Sequence, residues 1–149
     1  MTGRMVKVER HEKWTAVEGV TTPVARALIE EGHDGLVITL VFSDIVDGLN
    51  SDLCIDFGRV PAYAVYEEFV HPWIESNGEA PPKLEGKWKD FSYPLLLVRD
   101  SDWQSSFSDS QLVNWSGCVH YRLVTLDQTV EVLCNRAPLL SWIEVLTEA

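Results

Sequence analysis

Glu68 and His71 stand three residues apart in the stretch YEEFVHPW, residues 66–73. On a helix, that spacing puts a carboxylate and an imidazole on one face, as carboxylate-bridged metal sites require. Such sites draw their ligands from several long helices. Here the surroundings are strand-like, and Pro72 follows at once, which pushes His71 out of the helical region. On a strand, Glu68 and His71 point to opposite faces. The stretch is therefore read as extended, with no metal ligands assigned. Tyr66, Glu68 and Val70 share one face, and Glu67, Phe69 and His71 the other. Trp73 lies beyond the proline, next to a long loop. A strand end so placed makes a binding rim from Glu67, Glu68, His71 and Trp73. The plainer reading is an edge strand protected by its two charges.

The remaining chemistry-bearing residues form no recognised motif. His11, His33, His71 and His120 are widely separated, without the close pairing of common zinc sites. There is no G-x-S-x-G elbow and no glycine-rich phosphate loop. His120 and Arg122 fall on the same face of a hairpin as Glu131. That set reads as a structural polar cluster, although triad residues are also scattered in sequence. Cys54, Cys118 and Cys134 are odd in number and far apart, and read as free thiols. No catalytic residue and no cofactor is assigned.

Composition narrows the function classes. The net charge is −11, with 12 basic against 23 acidic residues. That excludes the basic footprint of a nucleic-acid binder. The acidity is concentrated in residues 14–75, where two basic residues face eleven acidic ones. A face of this kind suits either solubility or a basic partner. No apolar run approaches the roughly 18 residues of a membrane span. The charged start, MTGRMVKVERHEKW, is unlike a signal peptide, so a cytoplasmic location is expected. Six tryptophans are many for 149 residues; most are expected in the core or at its rim.

The elements that must position these residues are mostly strands. One domain is expected over 1–149, with 1–13 as a loose arm or edge strand. Thr22-Pro23 before VARALIEEG signals a short helix closed by Gly32. Glu30 and Glu31 oppose it, lying at the end where the helix dipole disfavours anions. From Leu36 to Phe42 the period changes to two, giving a largely buried strand. A turn at 47–51 precedes a strand with one polar face, Cys54 and Asp56. Residues 60–68 continue extended. Residues 76–92 read as a long loop carrying Trp88. A short strand covers 95–98, and Asp100 or Ser101 can cap a helix reaching Asp109, with Ser101-x-x-Gln104 fitting a capping box.

In HYRLVTLDQTVEVLC, residues 120–134, a turn at Asp127-Gln128 would oppose Thr125 to Val130, Leu123 to Val132 and Tyr121 to Cys134. Arg122 and Glu131 are then a diagonal pair on the other face. The tail, PLLSWIEVLTEA, fits a strand or a helix, and the alternation of Leu139, Ser141, Ile143 and Val145 favours a strand through Val145. The sum is an α+β chain, mostly β: an antiparallel sheet, curled or sandwiched, of six or seven strands with two short helices.

Two functions fit. The first is a non-enzymatic interaction module, of the toxin-neutralising or regulatory kind, meeting a basic protein through Glu67, Glu68, Trp73 and Trp88. The second is a small-molecule-binding β domain with residues 76–92 as a lid and Trp88 stacked on the ligand. A homodimer burying an apolar sheet face is compatible with both.

Overall fold

The structure is a computed structural model that describes residues 8–43, 51–68 and 80–145. Nine strands are described: β1 Arg10–Lys13, β2 Arg26–Gly32, β3 Gly35–Val41, β4 Ser51–Gly58, β5 Ala62–Glu67, β6 Leu95–Arg99, β7 Val119–Val124, β8 Gln128–Cys134 and β9 Leu139–Glu144. They form two antiparallel sheets. The larger has the order β1-β6-β7-β8-β5, and the smaller β2-β3-β4-β9. Helix is limited to α1, Asp102–Ser105, and a 3₁₀ turn at Gly86–Trp88.

The sheets share one apolar core, because alternate residues of each point inward. Leu36, Ile38 and Leu40 of β3 and Leu53, Ile55 and Phe57 of β4 meet Leu95 of β6, Leu123 of β7 and Val130 and Val132 of β8. Trp14, just after β1, joins the layers. Its ring centroid lies 4.6 Å from Tyr121 in the larger sheet and 6.2 Å from Phe57 in the smaller. Trp103 is also buried, and Trp88 and Trp142 pack half-buried against the core. Trp73 lies outside the described residues.

Two expectations about helices need correction. Residues 26–32 form strand β2. The Thr22-Pro23 pair starts no helix; the Thr22 hydroxyl donates to the Pro23 carbonyl. The deciding partner is β3, which pairs with β2 from Arg26↔Val41 to Gly32↔Gly35. Tertiary pairing overrides the local helical signal, and Gly32 and Gly35 bracket the connecting turn. Gly35, with φ +120°, has a second duty: a Cβ there would lie 2.1 Å from the carbonyl carbon of Gly58. The second expected helix is real but shorter. Ser101 Oγ accepts from Gln104 N–H at 2.9 Å, while the Gln104 side chain donates to the Cys118 carbonyl and closes no capping box. Strands β1 and β2 account for the excess over seven.

The β7–β8 hairpin keeps its expected faces but shifts register by two. Leu123 opposes Val130, and Arg122 directly opposes Glu131. The cause is Thr125. Its hydroxyl accepts from Gln128 N–H at 2.9 Å, and its own N–H donates to the Gln128 carbonyl. The turn is therefore centred on Leu126-Asp127. A two-residue shift leaves side chains on the same face, since the pleat has a period of two. The expected turn at 47–51 falls largely outside the described residues.

Candidate functional site

Glu67 ends β5, and Glu68 follows it. The Glu68 N–H donates to the Asp127 carbonyl at 3.0 Å, which ties this strand end to the β7–β8 turn. The same turn is fastened to the chain before β2, where Leu126 N–H donates to the Val24 carbonyl at 2.9 Å. The result is a cleft of about 400 Å³ at the seam between the sheets, lined by Arg26, Ala27, Glu67, Glu68, Asp127 and Gln128. Glu67, Glu68 and Asp127 are exposed. The Gln128 side-chain carbonyl is buried and meets no donor among the described residues. Three carboxylates and one guanidinium, that of Arg26, thus line the opening, an excess of negative charge that favours a cationic donor.

Of the other candidates, His71 and Trp73 lie outside the described residues. Trp88 stands apart from this cleft. Its ring meets Phe91 edge-on at 5.5 Å between centroids, with Lys87 Nζ 5.1 Å from its own centroid. The loop around it is hydrogen-bonded to itself: Leu84 N–H donates to the Phe91 carbonyl, and Tyr93 N–H to the Pro82 carbonyl. A second cleft, of about 490 Å³, lies against this loop, with Lys13, Thr21, Leu84, Glu85 and Tyr93 in its lining. Trp88 is not part of that lining.

The densest polar assembly is elsewhere, on the outer face of the larger sheet. His120 and Arg122 project from β7 and Glu131 from β8. Arg122 Nε donates to Glu131 Oε1 at 2.5 Å, and Arg122 Nη1 to Glu9 Oε1 at 3.1 Å. Arg122 Nη1 also meets His11 Nε2 at 2.5 Å. Arginine can only donate, so His11 Nε2 must be the bare nitrogen. Glu131 Oε2 faces His120 Nε2, and His120 Nδ1 faces Ser101 Oγ at 2.5 Å. Glu9 Oε2 accepts the Asp102 N–H at the start of α1. Trp103 covers the cluster, its ring 4.9 Å from that of His120.

Ser101, His120 and Glu131 thus form a relay resembling a hydrolase triad, but with the imidazole reversed. In that triad the serine faces Nε2 and the carboxylate faces Nδ1. Here Ser101 is also spent as the cap of α1, and all three side chains are enclosed. The cluster is a fastening that holds α1 and the stretch before β1 onto the sheet. Sequence placed His120, Arg122 and Glu131 on one face; Glu9, His11 and Ser101 were missed. The available signal for Ser101 was its capping position, two residues after a strand that neighbours β7.

Glu-x-x-His spacing recurs at Glu30 and His33, on β2 and its turn, again off any helix. Among the described residues no group of three or more His, Cys, Asp or Glu is arranged to hold a metal ion. None of their helices is long and apolar enough to cross a membrane. The three thiols are unpaired by disulfides. Burial pushes each thiol pKa up, and for Cys54 the carboxylates of Asp56 and Glu30 add to the effect. No protein-family model, curated protein or solved structure matches the chain at a significant level.

Proposed function

We propose that this chain is a protein-interaction module that receives a basic segment of another protein at the seam cleft of Glu67, Glu68 and Asp127. The observation that supports this reading is the excess of carboxylate in the cleft, Glu67, Glu68 and Asp127 against Arg26 alone. A lysine or arginine side chain from a partner would add donors for the carboxylates that outnumber Arg26. The net charge of −11 would steer a cationic partner toward the molecule.

The test is a pull-down from host lysate at low and high salt with two baits, the native chain and the Glu67→Lys/Glu68→Lys variant. A stoichiometric partner held by the native bait at low salt and lost by the variant supports the reading. Equal retention by both baits removes the cleft from consideration.

A second reading, a small-molecule binder, draws its support from the 490 Å³ cleft beside Leu84 and Glu85. On that reading Tyr93 and Lys13 are the contacts, and Trp88 is a reporter at a distance. A thermal-shift panel of small anions and aromatics would reveal such a ligand, and Lys13→Glu should abolish its effect.

A further inference from the structure

The four sheet edges are unequally protected. β1 carries Arg10, Glu12 and Lys13 in four residues. β2 carries Arg26, Glu30 and Glu31, and its Glu31 accepts the Tyr63 hydroxyl of β5 at 2.7 Å, which ties those two edges together. Charged residues and cover of this kind are the usual guards of a sheet edge. β9 has neither along most of its length. Its sequence LLSWIE holds one charge, at the final position. It pairs with β4 on one side, and among the described residues its backbone makes no hydrogen bond to any other strand. Leu139 is 73% exposed and Ile143 45%.

The adjoining face supplies the charge. Leu139 lies opposite Asp56, Ser141 opposite Cys54, and Ile143 opposite Asp52. Asp56 Oδ1 accepts Gly58 N–H, and Asp52 Oδ1 accepts the N–H groups of Phe42 and Ser43. Among the described residues no donor meets the second oxygen of either carboxylate. A strand laid beside β9 would sit two strand spacings, about 10 Å, from these carboxylates. A lysine or arginine stem can cross that gap by lying on Leu139 or Ile143.

We infer that the β9 edge is a strand-addition site for an extended basic segment of a partner protein, with Lys or Arg at two positions four residues apart. Those positions stand beside Leu139 and Ile143, and a small residue between them stands beside Ser141. Main-chain hydrogen bonds to β9 supply affinity, and the Asp52 and Asp56 carboxylates supply selection for cations. A second copy of this chain fits less well: β9 carries no cation, and pairing two copies would set the Asp52 and Asp56 rows against their own kind. This surface is separate from the seam cleft and stands independently of it.

The probe is a nine-residue capped peptide of alternating threonine and valine, with lysine at positions 3 and 7 and serine at 5. Its partner controls carry glutamate at 3 and 7, or N-methyl groups on alternate amides. Binding is read by fluorescence anisotropy, and its location by amide hydrogen exchange. The lysine peptide should bind at least about tenfold tighter than either control, with new protection confined to 139–144. Asp52→Asn/Asp56→Asn, which keeps the backbone-accepting oxygens, should erase the preference for lysine. In the Glu67→Lys/Glu68→Lys background, which removes two carboxylates of the seam cleft, the lysine peptide should still protect 139–144. Equal binding of lysine and glutamate peptides overturns the inference, as does protection in that background that misses 139–144. So does a concentration-dependent doubling of mass in sedimentation that protects β9 without peptide.

Discussion

The outer faces of the two sheets have been finished in opposite ways. On the larger sheet, α1 and the stretch before β1 lie over β6, β7 and β8, and the space beneath them holds Glu9, His11, Ser101, His120, Arg122 and Glu131. On the smaller sheet nothing described lies over Leu28, Leu139 and Ile143, which remain exposed. The difference teaches what a cover requires. A covered face carries charge at low cost only where it is answered, so the larger sheet holds a connected network, in which Arg122 Nη2 is a buried donor with no hydrogen-bond partner among the described residues. A bare face leaves its carboxylates to water, so Asp52 and Asp56 need answer only part of their capacity internally.

The sharpest way to break this contrast is Glu131→Ala. It strips Arg122 and His120 of their shared carboxylate in an enclosed space. Removing one member of a buried ion pair costs about 3–5 kcal/mol, and urea unfolding should show a loss of that size. A loss under about 1 kcal/mol would mean that water reaches the cluster and that the face is not truly covered.

A smaller effect separates the core from the bare face through pH. Burial raises the pKa of Tyr121 and of Cys134, both on the inner side of the larger sheet. A group with a raised folded pKa stabilises fully below its unfolded pKa, and that contribution is lost as pH rises through the folded value. Stability should therefore hold near neutrality and fall from about pH 8.5 upward. The decline should be shallower in Tyr121→Phe/Cys134→Ala, measured by thermal unfolding across the alkaline range. Cys54, on the bare face, should be alkylated in the folded protein, though more slowly than a free thiol. Cys134 should react only on unfolding.

The smallest effect is expected from Leu139→Ser. At 73% exposure the side chain has little burial to lose, so the change in stability should stay within about 0.5 kcal/mol. A larger loss by urea unfolding would show that something covers β9 in solution and would erase the asymmetry between the faces.

Legibility in the sequence followed the reach of each signal. The alternation of Leu36, Ile38 and Leu40 marked β3, and the tail from Leu139 read as a strand, because a pleat with one core face is written locally. β2 was misread because Thr22, Pro23 and Gly32 imitate helix punctuation, while the strand that overrules them lies beyond the next turn. The β7–β8 register missed by two because one hydroxyl, on Thr125, sets the turn centre. Of the seam cleft, Glu67 and Glu68 were legible as a strand end. Asp127 and Gln128 were not, since only the folded seam brings them there. Half of the buried network was equally hidden: Glu9 meets Arg122 across 113 residues of chain, a distance over which no sequence periodicity speaks.

That long reach also sets an order of events. β1 is synthesised well before its partner β6, and the Glu9 carboxylate waits longer still for the guanidinium that answers it. Until β7 and β8 have paired, α1 has no platform and Ser101 no imidazole. The stretch from Glu9 to Trp14 therefore closes in two stages, β1 onto β6 and then Glu9 onto Arg122. Such late, distant closures make folding slow, and a nascent chain halted before Leu95 would carry β1 without its pairing strand.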